Sequence, residues 1–282
     1  MEKENSRILM KRSITNFLEK LNINLARNSK TLGLTPFEDV RQLLFRLRPQ
    51  DNGHNLIRIG ADNDGGYLVP DDFNGVSHLL SPGCDLLWAF EADLHSRYGI
   101  EFFICDEANK KPNDLPSAGH YVEGFIAGAS DYPEYLSIRD WILMEKILGS
   151  EKILQIDIEG AEYLSFLSLS RSELEEFRII VIELHFLEAL KNNWSFTQVY
   201  KPFFDKLLDS FDVVHLHPNN CCGSWSYRNI SFPRLIEVTL HRKDRRLSDL
   251  KNASLPNSHD ADCVPNTPTI MIDWEHLKVF GG

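Results

Sequence analysis

Short apolar runs alternate along the chain with stretches whose apolar residues recur at helical spacing. Val76–Leu80, Ile100–Cys105, Tyr121–Ile126, Lys152–Asp157, Ile179–Glu183, Val213–Leu216 and Arg234–His241 read as strands. Between them, Trp88, Phe90, Leu94 and Tyr98 mark a helix that Gly99 ends, and Ser137–Leu148 one that Gly149 stops. Leu164, Phe166 and Leu167 continue the pattern, and Ser195-Phe196-Thr197-Gln198 opens a helix running through Tyr200, Phe203, Phe204, Leu207 and Leu208. Strands alternating with helices predict an α/β fold with a wound, mostly parallel sheet and helices on both faces.

Upstream, Ile14, Phe17, Leu18 and Leu21 share one helical face in a basic segment. That segment predicts a helix packing on its own domain, on a dimer mate in a homodimer, or peripherally on a membrane. Thr35-Pro36-Phe37-Glu38 combines an N-cap Thr, a first-position Pro and a following Glu, and Val40, Leu43, Leu44 and Leu47 carry the helix on. Leu56–Pro70 reads as a hairpin around an Asp/Asn/Gly turn, in which Gly65 and Gly66 serve the turn or let a ligand approach backbone. The expected division is a helical extension over 1–50 and a sheet domain over 51–282.

Composition narrows the partners. With 41 acidic and 30 basic residues among 282, the net charge is −11, which argues against a nucleic-acid backbone as partner. No apolar run is long enough to cross a bilayer and the start lacks a signal peptide's apolar core, so the expected location is cytoplasmic. The five cysteines have no metal-type spacing, and neighbouring Cys221 and Cys222 are expected as free thiols.

Candidate chemistry gathers where strands end: Asp106, Asp157, Glu183-Leu184-His185 and His215-Leu216-His217. In a parallel sheet these ends share one edge, where ligands of such folds bind. The first strand leads into Ser81-Pro82-Gly83, a glycine turn lacking the full Gly-x-Gly-x-x-Gly pattern, and the second ends in Asp106, an acid suited to ribose hydroxyls.

Gln155-Ile156-Asp157-Ile158-Glu159-Gly160-Ala161-Glu162 resembles the signature of FkbM-type methyltransferases, enzymes dependent on S-adenosylmethionine and built on a seven-stranded Rossmann-like sheet. The likeness takes in the Asp-Gly-Gly-Tyr element at Asp64–Tyr67, Ser81–Gly83 and Asn219-Asn220. It implies a seven-stranded, mostly parallel sheet with one antiparallel strand. It also implies that Asp64, Gly66, Tyr67 and Gly83 lie against the cofactor and that Asp106 binds its ribose. Gly128, Ser130 and Asp131 would flank adenine, and Asp157 would sit near the sulfonium. The implied reaction is O-methylation of a small-molecule or glycan (sugar) acceptor.

A hydroxyl acceptor must lose its proton as the new bond forms. His185, His215 and His217 are candidate bases, with Asp157 or Glu183 as orienting partners; His185 is preferred for its place just past the fifth strand. A narrower expectation sets Mg²⁺ or Mn²⁺ between Asp157, Glu183 and His217, although salt bridges or bonds to substrate account for the same residues. The competing functions are a nicotinamide-dependent oxidoreductase, weakened by the incomplete glycine turn, and a non-catalytic nucleoside-binding module.

Overall fold

The computed structural model describes residues 33–84, 88–106, 115–130, 135–149 and 151–278. The basic segment at the start of the chain and Asp131 lie outside the described residues.

The elements are α1 (Phe37–Phe45), a hairpin of β1 (Leu56–Gly60) and β2 (Gly66–Pro70), β3 (His78–Pro82), α2 (Ala89–Tyr98), β4 (Glu101–Asp106) and β5 (Gly119–Glu123). There follow α3 (Ile138–Glu145), β6 (Lys152–Ile156), α4 (Glu162–Ser168), β7 (Phe177–Leu184), α5 (Lys201–Ser210) and β8 (Phe211–Pro218). A second hairpin, β9 (Ser224–Tyr227) and β10 (Ile230–Pro233), leads into β11 (Ile236–Arg242).

Seven strands form one sheet in the order β8-β11-β7-β6-β3-β4-β5. From β3 the chain winds outward through β4 to β5, then crosses back to β6 and winds the other way. Pairing is parallel from β5 through β7, and β11 runs antiparallel to both of its neighbours. This is the wound, mostly parallel sheet expected from the alternation, and its Rossmann-like form with one antiparallel strand is the one that the resemblance implies.

Strand side chains alternate between faces, and the core divides accordingly. Leu80, Phe103, Leu154, Ile156, Ile180 and Ile182 pack with α1, α3, α4 and α5 on one face. Leu79, Phe102, Ile104, Ile153, Ile179 and Val181 pack with α2 and the first hairpin on the other. Val40, Leu43, Leu44 and Leu47 belong to the first cluster, so the expected division at residue 50 would cut through a shared core.

Several local expectations change. Thr35 does not cap α1: its hydroxyl donates to the Leu190 carbonyl, and Pro36 holds the cap position without a side-chain bond. Ser195 does not cap the long helix either. The Asn192 side chain accepts from the Ser195 amide, opening a short turn at Asn193–Ser195 that runs through a π-helical segment, Phe196–Tyr200, into α5. Phe196, Tyr200, Phe203, Phe204 and Leu207 are all buried along one face of this segment. Cys221 and Cys222 are joined as a disulfide, whereas Cys84, Cys105 and Cys263 are free and buried. The expectation of five free thiols is therefore corrected at that turn, where consecutive side chains are brought together.

Candidate functional site

The chain order reverses between β3 and β6, and there the turn after β3 touches the end of β6. Gly83 has φ +80°, and a Cβ on it would lie 1.6 Å from the Asp157 carbonyl oxygen, so only glycine permits this approach. The Asp157 amide donates to the Pro82 carbonyl and the Gly83 amide to that of Cys105, which ties the three central strand ends together.

The period of two carries polar residues onto the hairpin-covered face. Ile153, Gln155 and Asp157 follow one another on that side of β6, and Ile179, Val181 and Glu183 on that side of β7, so the face is apolar deep in the sheet and acidic at its carboxyl edge. Just below the edge Ser81 donates to Glu91 and contacts Gln155 Oε1 at 2.6 Å, while Gln155 Nε2 lies 3.4 Å from the Tyr67 hydroxyl. Burial pushes the Glu91 carboxyl up to about 7. Asp106 is 6% exposed at the end of β4, with the Cys84 thiol 4.0 Å from its Oδ2.

Around β6 the turn Ile158–Ala161 is folded by Glu162, which opens α4 and is fully buried. Its Oε1 accepts from the Ile158 amide at 3.0 Å and the Gly160 amide at 3.1 Å, and lies 3.1 Å from His185 Nδ1. Glu159 holds a left-handed φ of 55° within this turn, an unusual backbone state for a side-chain-bearing residue. With Nδ1 engaged, His185 directs Nε2 at Asp157 Oδ1, 3.7 Å away, and at Glu159 Oε2, 3.6 Å away. Burial pulls the imidazole down, but Glu162, Asp157 and Glu159 outweigh it and hold His185 up at about 9. Held up in this way, His185 favours its protonated form, which weighs against the expected role as base.

The carboxylates behave in the opposite sense. Burial, reinforced by Glu183, raises Asp157 well above the ordinary carboxylate range. Burial and repulsion from Glu237 and Asp64 push Glu183 up to about 7, against the Asn219 amide, which donates to it at 2.8 Å. Asp157 Oδ1 is buried without a hydrogen-bond partner. Ligand atoms of Asp157, Glu183 and His185 all lie within 4.8 Å of one another.

His217 is not part of that group. Glu183 pairs with Glu237 of β11, and Glu237 with His217 of β8, so His217 stands two strands from Glu183, roughly 10 Å away at ordinary strand spacing. The expected Asp157–Glu183–His217 set is therefore replaced by Asp157–Glu183–His185. His215 is bonded through Nε2 to Asp260 at 2.8 Å and is not at the edge.

The other residues implied by the resemblance divide. Tyr67 and Gly66 lie with Glu237, Thr239 and His217 around a small cavity, and Asp64 lies beside Glu237 and Cys263, so this element flanks β11 while the Tyr67 hydroxyl reaches Gln155 of β6. A Cβ on Gly128 would lie 3.1 Å from Leu164, and Ser130 donates to Asp140 and accepts from the Ser137 amide, so both residues have packing or capping partners at α3 and α4. The sequence reading gave no role to Glu162, Glu91 or Glu237. Glu237 did leave a signal: an acid inside the apolar run Leu235-Ile236-Glu237-Val238.

Fold and site together define a Rossmann-like α/β protein with polar side chains gathered at the reversal point of its sheet. No protein-family model matches the chain, and no curated protein matches it. Among solved structures it is similar to M. capricolum TrmK in complex with the natural cofactor product S-adenosyl-homocysteine, at 9% identity and a TM-score of 0.34. The match covers 60% of this chain and 63% of that one, less than two thirds of its length.

Proposed function

We propose that this protein is an S-adenosylmethionine-dependent methyltransferase of the FkbM type, acting on a hydroxyl of a small-molecule or glycan acceptor. The observation that carries the reading is the reversal of strand order at Gly83 and Asp157, flanked on one sheet face by Asp106 on the donor side and Glu183 on the other. Ligands of open α/β sheets bind at such a reversal. Asp106 suits ribose hydroxyls, and Asp157, beside the glycine turn, suits the positive sulfonium. When bound, the cofactor supplies an activated methyl group.

The chain's own residues align the acceptor and take its proton. Alignment alone supplies on the order of 7–11 kcal/mol in favourable intramolecular reactions. The proton goes to the Asp157–Glu183 pair, because a carboxylate raised to about 7 is matched to neutral pH. The His185 imidazolium, fixed by Glu162, orients Asp157 and balances its charge.

A second reading rests on Asp157 Oδ1, which is buried with no hydrogen-bond partner. Asp157, Glu183 and His185 form an N/O donor set that suits Mg²⁺ or Mn²⁺; the ion would displace the proton from His185 Nε2, and a histidine whose other nitrogen meets a carboxylate is the usual support of a metal ligand. Such an ion, when bound, lowers the pKa of a hydroxyl held beside it.

The test is transfer of a labelled methyl group from S-adenosylmethionine to a panel of hydroxylated acceptors, with and without a chelator. Transfer by the wild type, lost in Glu183→Gln, supports the reading, and loss on chelation selects its metal form. Failure to bind S-adenosylhomocysteine together with tight NADH binding would overturn it in favour of an oxidoreductase.

A further inference from the structure

Beside this site, on the far side of Glu183, stands a second group of metal-type side chains that the methyl-transfer reading leaves unused. Asp64 comes from the turn between β1 and β2, Glu237 from β11 and Cys263 from the segment after it, and their ligand atoms all lie within 4.8 Å of one another. Cys263 and Glu237 are each 8% exposed, and the Cys263 thiol donates to Glu237 Oε1 at 2.9 Å. Among the described residues, no lysine, arginine or histidine forms an ion pair with Asp64, Glu183 or Glu237. Arg58, the nearest guanidinium, is held by the carbonyls of Ala61 and Asn63 at 2.8 Å each.

A separate observation points to a ligand. His217 is 7% exposed, yet its Nε2 is buried with no hydrogen-bond partner. It sits directly across from Glu237 on the neighbouring strand, on the same sheet face, and both line one cavity. Cβ atoms of such a pair are about 4.5–5.5 Å apart. A buried, unpaired imidazole nitrogen is costly unless something occupies it.

We infer that Asp64, Glu237 and Cys263 form the core of a second, zinc-class divalent metal site at the β8–β11 edge, and that His217, whose ring nitrogens are not among the ligand atoms grouped within 4.8 Å, turns in from across Glu237 as the fourth ligand. Sulfur, nitrogen and two carboxylates are the donors of a tetrahedral zinc site, and unlike the all-hard set that Mg²⁺ prefers, they select a borderline-soft ion. Binding releases the Cys263 thiol proton, as metal–thiolate bonds require. The ion would join the first hairpin, the sheet and the chain after β11 at one point, and would offset the carboxylates clustered along the edge.

Co²⁺ titration of the full chain tests this, because a cobalt–thiolate bond absorbs in the near ultraviolet whereas the Asp157–Glu183–His185 set has no sulfur. The expected result is one equivalent of bound Co²⁺ showing thiolate charge-transfer absorption, displaced by Zn²⁺. Cys263→Ser should lose the band, and His217→Ala and Asp64→Asn should weaken Co²⁺ binding by about tenfold or more. A wild type without the band, or a band that persists in Cys263→Ser, would overturn the inference. S-adenosylhomocysteine binding, measured on the same samples, reports on the methyl-transfer reading separately: affinity retained in Cys263→Ser without the band shows that the two sites fail or hold independently.

Discussion

At the scale of single residues, the site is set by which groups hold protons. Glu183, raised by burial to about 7, must be ionised to accept one, so methyl transfer is expected to rise with pH through about 7 and then level. Glu183→Gln should lower the rate by about 10²–10⁴-fold and flatten that profile. A pH–rate profile on both proteins checks this; an unchanged inflection in the variant would remove Glu183 from the role. Gly83 is a second such point. With φ +80° and the Asp157 carbonyl where a Cβ would go, Gly83→Ala should destabilise by about 1–3 kcal/mol, or about 2–4 °C in Tm for each kcal/mol. Asp157 and Glu183 were legible in the sequence because each ends an apolar run. The protonation of His185 was not, since it depends on Glu162 and Glu159, which approach only once the turn after β6 has folded.

At the scale of elements, hydrophobic periodicity located the sheet strands and their connecting helices, with boundaries shifted by a few residues. Caps were read less well, because several side chains can serve one helix start. Ser195 and Thr35 look like caps in one dimension, but Asn192 supplies the bond ahead of the long helix and Thr35 reaches Leu190. Asn192→Ala should therefore destabilise by about 1 kcal/mol, while Ser195, a donor through its backbone amide alone in that bond, contributes no cap. Equilibrium urea unfolding of the two alanine variants separates them. The exchange of His217 for His185 has the same origin. Strand ends are visible in sequence, but lateral order is not, and β11 inserts between β7 and β8.

At the scale of the molecule, the end of the sheet opposite the site is anchored by a buried ionic cluster. Asp72 takes Arg245 at 2.8 and 2.9 Å, Arg178 at 3.3 Å and His241 at 3.1 Å. Burial raises Asp72, but these partners prevail and hold it down at about 2, whereas burial pulls His241 down to about 4. Both folded values lie below the unfolded ones, so their stability is present at high pH and lost as pH falls. The His241 contribution goes between 6.5 and about 4, and that of Asp72, about 2 kcal/mol, between 3.8 and about 2. Asp72→Asn should cost about 2 kcal/mol at neutral pH through loss of the charge that Arg245 and His241 share, Arg178 remaining paired with Glu151 at 2.6 Å, and should abolish the lower step. Urea unfolding across a pH series reads both effects.

The central claim is that the reversal point of the sheet holds a methyl donor against Asp106. Calorimetric titration of S-adenosylhomocysteine into wild type and Asp106→Asn tests it directly. The account predicts one bound equivalent in the wild type and an affinity at least about tenfold weaker in the variant, in line with about 1–3 kcal/mol for a buried polar partner lost. No binding to the wild type, or equal affinity in the two proteins, would contradict it.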